Sequence, residues 1–212
     1  PYTTLFRSLC EVHNLPKQFE VRVPGSEKAE QGGGGIDELL ESIPWQLRAT
    51  DLERLAVVVD ANDKGPEARW EAIRARLPAS EDGEVPTKLP SHGAICEIPL
   101  PNTPRSVRFG AWIMPDNRSQ GMLEDFVALM IREDDDMLPR VDGFLNGIPE
   151  GKCRFSPAHY AEARIHSWLA IQKDPGKPMG QAIGTQGSSQ GLDTSCETVN
   201  DFLAWVRNAL ID

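Results

Sequence analysis

The chain has 212 residues, 40% of them apolar and 25% charged, with a formal net charge of −10. That balance suits a globular protein with one large core or two small ones. The acidity excludes broad electrostatic binding of nucleic acid, which needs a basic footprint, and leaves room only for a local, metal-bridged contact with phosphate.

No apolar run reaches the length of a membrane span, and no secretory leader is visible. Cys10, Cys96, Cys153 and Cys196 are scattered with no CxxC pair. Free thiols in a reducing cytoplasm are the expectation.

Residues 1–8, PYTTLFRS, start with proline rather than methionine and show no clear period. They resemble translated adapter DNA joined in frame, and residues 1–18 are read as a truncated or artefactual start. Within them, Leu5, Leu9 and Val12 fit one side of the end of a first helix. Residues 19–23 alternate Phe19, Val21 and Val23 with Glu20 and Arg22, a half-buried strand pattern. Residues 24–35 form a loop ending in four glycines. Such a loop can cradle phosphate, but no Lys-Ser or Lys-Thr pair follows, so it is no Walker motif. Ile36, Leu39, Leu40 and Ile43 then repeat at helical spacing, with Pro44 as the stop.

Residues 55–70 read LAVVVDANDKGPEARW. The β-branched run 56–59 predicts a buried parallel strand, central to the sheet, bounded by a polar turn and a helix over 66–77. Ala68, Ile73 and Leu77 are expected to face inward, with Trp70 over the helix–sheet seam. Ligands of open α/β sheets bind beyond the carboxyl ends of such strands. Asp60 and Asn62 would share a face if the strand persisted, whereas Asp63 would not. A carboxylate there can hold a hydrated divalent cation. The plainer alternative is a polar turn capping the next helix.

Residues 93–98 and 107–114, joined by the proline-rich turn 99–104, predict an antiparallel pair. The second of these ends in Pro115-Asp116-Asn117. A helix follows with Met122, Leu123, Phe126, Val127 and Met130 as its stripe, so Asp116 occupies the place that Asp60 has in the first unit. Glu124 and Asp125 lie in that helix's first turn, where acids also serve the helix dipole without further function. Residues 133–136 are read as a solvated helix end. Helices are expected over 136–146, from Ser156-Pro157 to about 171 with Ile165, Trp168 and Leu169 inward, and over 198–211. Residues 173–190 read as a loop. Cys153, His159 and His166 match no common zinc spacing.

The strings VVVDAND, GAWIMPDN…GMLEDF, EARIHSWLA and PGKPMG together resemble a bacterial family of small Toprim-like proteins, a domain of unknown function. The resemblance implies an α/β, Toprim-like sheet of mainly parallel strands flanked by helices. It implies one domain over 19–212, with a helical C-terminal part from about 136. It also implies a divalent-metal-dependent phosphoryl-transfer enzyme or nuclease, related to the overcoming-lysogenisation-defect nucleases. Asp60 matches the first aspartate of that family's Asp-x-Asp pair. Asn62 replaces the second, at the cost of one ligand charge. Glu124, with Asp125 as alternate, resembles the later acidic ligand, and a lysine is expected where Glu162 stands. Asp60, Asn62, Asp116, Glu124 and Asp125 are thus the expected ligands of Mg²⁺. The catalytic glutamate of the first strand has no counterpart, so the chain as it stands is expected to be inert as a nuclease. Nucleic acid, reached through bound metal, or a protein is the expected partner. The alternative from another class is a non-catalytic Toprim-like binding or regulatory protein.

Overall fold

The computed structural model describes residues 2–23, 35–78, 85–101, 103–183 and 192–212. The expected loop at 24–35, apart from Gly35, and residues 184–191, which include the end of the loop expected at 173–190, lie outside them. Three strands form one sheet: β1 (Arg54–Asp60), β2 (Ala94–Pro99) and β3 (Ser106–Met114). Their order is β1-β3-β2, with β1 and β3 parallel and β2 and β3 antiparallel. The sheet is therefore mixed rather than mainly parallel, and β3, not β1, is the middle strand. Connection length decides both points. Residues 100–105 are too few for a crossover and return the chain antiparallel. The chain between β1 and β3 is long enough to carry a helix across the sheet.

Period-2 alternation then splits the core. Val57 and Val59 of β1, with Phe109, Ala111 and Ile113 of β3, are buried on one face of the sheet. Ala56, Val58, Trp112 and Met114 pack on the other. Helix α2 (Ile36–Leu47) and helix α3 (Pro66–Arg74) cover the first face. The second face carries α1 (Tyr2–Val12), α4 (Leu123–Ala128), α5 (Leu138–Asn146), α6 (Tyr160–Ala170), α7 (Met179–Ala182) and α8 (Glu197–Leu210). The result is a three-layer α/β arrangement with both sheet faces covered, which is why residues 107–114 carry a nearly unbroken apolar run.

Several local expectations change. Residues 2–12 are helical, and Leu5 and Leu9 are fully buried, so the helix extends back through the segment that showed no period. Residues 19–23 form no strand: Phe19 and Val21 pack on the core from an irregular segment with no ladder partner among the described residues. Pro44 lies inside α2, because the last turn places Leu47, 1% exposed, on the stripe of Leu40 and Ile43. In α3 the buried residues are Arg69, Trp70 and Ile73, while Ala68 is exposed and Leu77 only half-buried. Residues 179–182 form α7 within the expected loop, and a 3₁₀ turn at Pro157–His159 precedes α6.

The acidic run at 133–136 is more than a solvated helix end. Asp135 Oδ1 accepts hydrogen bonds from the backbone N–H of Met137 (2.9 Å) and Leu138 (2.6 Å) at the start of α5, and from Trp168 Nε1 (3.1 Å). One oxygen thus caps α5 and satisfies the indole of a fully buried tryptophan in α6. Asp135→Ala is expected to cost about 1–3 kcal/mol, the sum of a lost cap and an indole N–H left without its acceptor. Urea unfolding of the variant measures it, and a cost within error of Asp136→Ala would show that the contact carries nothing.

Candidate metal centre at the carboxyl end of the parallel strands

Strand β1 ends at Asp60, which pairs in register with Met114 of β3. By alternation Asp60 shares the face of Ala56 and Val58, the face that α4 and α6 cover. Its Oδ1 accepts a hydrogen bond from the backbone N–H of Leu123 at 2.9 Å, the first residue of α4. This bond joins the two strand-acid-helix units: the acid of the first seats the helix of the second. The bond fixes the orientation of the Asp60 carboxylate at the start of α4.

Glu124 follows directly on Leu123. Burial raises its carboxyl above the ordinary glutamate range, and the nearby Asp60 and Glu162 raise it further. Its own backbone N–H and His166 act in the opposite sense. Glu162 and His166 lie four apart on α6, one helical turn, and so share a face. Asp60 and Glu124 are half-buried, while Glu162 and His166 are exposed. A lysine was expected at 162, and the glutamate there adds negative charge to the same spot.

The other expected ligands are placed differently. The strand does not persist past Asp60. Asn62 turns into the left-handed region at φ 49°, is exposed, and its backbone N–H donates to Gly121 O at 2.8 Å. Asp116 lies at the same end of the sheet, but its carboxylate closes its own loop. Oδ1 accepts from the backbone N–H groups of Arg118 (2.9 Å) and Ser119 (2.7 Å), and Oδ2 from the Ser119 hydroxyl (3.0 Å). Asp125 Oδ2 accepts from the backbone N–H of Met122 at 2.9 Å, a helix-capping bond. Gly121 makes room for it. With φ 141°, a Cβ there would come within 2.6 Å of that same oxygen. The neighbouring Asn117 is buried in the left-handed region, and its Oδ1 accepts the backbone N–H of Ile113 at 2.7 Å. It thereby supplies a partner to β3 beyond Ala111, where β2 starts with Ala94.

The Leu123–Asp60 bond thus brings Glu124, the next residue, near Asp60, and the charges of Glu162 and His166 also act on Glu124. Among the described residues no three His, Cys, Asp or Glu side chains come close enough to chelate one ion. Two carboxylates still fit Mg²⁺, which takes one or two of them and fills its remaining positions with water and phosphate oxygens.

Residues 3–210 match the family described as a protein of unknown function, DUF3226. The chain belongs to the DUF3226 family. Searches of curated proteins and of solved structures found no match. No helix among the described residues is long and apolar enough to cross a membrane.

The raised proton affinity of Glu124 has a stability consequence with a definite sign. A carboxyl whose folded pKa lies above its unfolded value of 4.5 binds more protons folded than unfolded between the two. Its stabilising contribution is present below the unfolded value and is lost as pH rises through the folded one. Glu124→Gln is therefore expected to gain on wild type as pH rises from about 4 to neutral. Urea midpoints across that range test this, and parallel profiles would show that the carboxylate is not crowded.

Proposed function

We propose that this chain is a divalent-cation-dependent phosphoryl-transfer protein of Toprim type, its cation held by Asp60 and Glu124. The observation that carries the reading is the pairing of these two carboxylates at the carboxyl end of parallel strands. Burial and the neighbouring acids of Asp60 and Glu162 disfavour the charged form of Glu124. A bound cation would reverse that cost by neutralising both groups. The end of the strand beside a helix start is also where open α/β sheets bind their ligands. A metal there would neutralise charge on the transferring phosphoryl group and lower the pKa of an attacking water. Asn62 sits on the solvent side of the same turn, where its amide oxygen can serve as an auxiliary acceptor.

The competing reading is a binding or regulatory module without chemistry. It is favoured by Asp116 and Asp125, whose carboxylates already close a turn and cap a helix and so have less to offer an ion.

Calorimetric titration with Mn²⁺ tests the assignment. Asp60→Ala and Glu124→Gln are each expected to weaken binding by at least roughly 10- to 100-fold, since losing even a ligand's supporting partner costs that much. Asp63→Ala is expected to leave binding unchanged. Equal affinity of wild type and Asp60→Ala would exclude the site. Metal-dependent cleavage of supercoiled or single-stranded DNA, lost in Asp60→Ala, would separate the enzyme from the binding module.

A further inference from the structure

Arg69 is 8% exposed and one of two buried polar or charged side chains among the described residues. It lies in the first turns of α3, on the sheet face opposite α4 and α6. Its Nε donates to the backbone carbonyl of Asp60 at 3.0 Å, which sets the guanidinium at the carboxyl end of β1. The bond goes to the carbonyl and not to the carboxylate. No acid among the described residues forms an ion pair with Arg69, and its two terminal nitrogens take no acceptor among them. Those nitrogens are also not fully enclosed, since neither counts among the buried polar atoms without a partner. A guanidinium held by one nitrogen on a buried stem, with the rest of its fork reaching solvent, keeps two donors open to a ligand.

The adjoining helix start points the same way. α3 begins at Gly65, which supplies no side-chain cap, and Pro66 has no N–H to satisfy. The backbone donors of the first turn are therefore left for solvent or a ligand. Glu67 turns its carboxylate toward the backbone N–H of Leu89 at 3.4 Å instead of capping its own helix.

We propose that Arg69 binds a phosphoryl oxygen pair at the carboxyl end of β1, beside the start of α3. The planar fork suits two oxygens of one phosphate, and the bond from Nε to Asp60 O fixes its plane before the ligand arrives. The site would then be bipolar, with carboxylates for a cation on the α4 side and a cation for the phosphate on the α3 side. The choice of phosphate as the anion rests on the phosphoryl-transfer reading, whereas the anion site itself does not.

The test uses the whole chain and inorganic phosphate, first in the presence of a chelator. Calorimetry and thermal unfolding compare phosphate with chloride at matched ionic strength. Wild type is expected to bind phosphate saturably and to melt higher in it. Arg69→Lys keeps the charge but not the fork and is expected to bind roughly tenfold more weakly, and Arg69→Gln to lose binding. A merely structural arginine predicts variants destabilised equally in both salts. That result overturns the proposal, as does a wild type that phosphate stabilises no more than chloride, which needs no variant to fold. Arg69→Lys binding phosphate as tightly as wild type would overturn it as well. A dinucleoside monophosphate in place of phosphate distinguishes the source. Saturable binding of both assigns the site to phosphodiesters, and binding of inorganic phosphate alone to phosphomonoesters. Mn²⁺ separates the two hypotheses. Mn²⁺ bound without any phosphate site leaves the metal reading standing alone, and phosphate bound without Mn²⁺ affinity leaves only the anion site.

Discussion

Phe202→Ala is expected to lower unfolding stability by about 3–5 kcal/mol, the range for removing a buried aromatic ring. Phe202 is 2% exposed in α8. Its ring stacks on Phe6 with centroids 5.2 Å apart and meets Trp112 at 5.3 Å, Phe126 at 5.5 Å and Trp205 at 5.8 Å. One ring thus joins α1, the central strand β3, α4 and its own helix. Its four neighbours are anchored on separate elements, so they cannot all move in to fill the space, and a residual cavity adds to the lost transfer energy. Urea unfolding followed by tryptophan fluorescence is the measurement. Phe144→Ala is the control: that ring is 67% exposed on α5, and its loss is expected to stay within about 0.5 kcal/mol. Similar costs at the two positions would mean that α8 does not hold the layer together.

Leu9→Ala is expected to cost about 2–5 kcal/mol, because Leu9 is fully buried with Leu5 in the same core. α1 lies across α7 at unusually short range. A Cβ added at Gly180 would come within 2.7 Å of Leu5 N and 2.8 Å of Thr4 C. Both are backbone atoms and cannot swing aside, so Gly180→Ala is expected to cost a further 1–3 kcal/mol, roughly the usual overpacking penalty. The pair of substitutions asks whether the first helix belongs to the folded unit. A Leu9→Ala protein as stable as wild type would answer that residues 2–12 contribute nothing to the core.

The sequence by itself determined the parts of the fold that depend on local periodicity. The runs around Val57 and Ile113 are strands because β-branched and aromatic residues alternate between two covered faces. The turn between β2 and β3 is antiparallel because it is short and proline-rich. Ile165, Trp168 and Leu169 are buried at helical spacing, as are Phe202 and Val206. Where the local signal was silent or shared between states, tertiary contacts decided. Alternation at 19–23 is the same in a paired strand and in an irregular segment lying on a core, and only the absence of a neighbouring strand among the described residues tells them apart. Pro44 marks a helix end by its missing N–H, yet burial of Leu47 carries the helix past it. The helical side of Leu5, Leu9 and Val12 is legible in the sequence, but that α7 and α8 cover it is decided by contacts with the far end of the chain.

The candidate site divides along the same line. Asp60 and Glu124 are legible as acids at a strand end and a helix start, since both positions follow from the order of elements. Their meeting is not legible. It depends on the Leu123–Asp60 bond between residues 63 apart in sequence. Asp116 and Asp125 look equivalent to them in the sequence and differ only in what their carboxylates already bind. Glu162 and His166, whose charges act on Glu124, and Arg69, which bonds the Asp60 carbonyl, come from helices whose own sequences give no reason for those contacts. A titratable group acquires its function from its neighbours' charges and from the water it loses, and both are set by packing between elements distant along the chain.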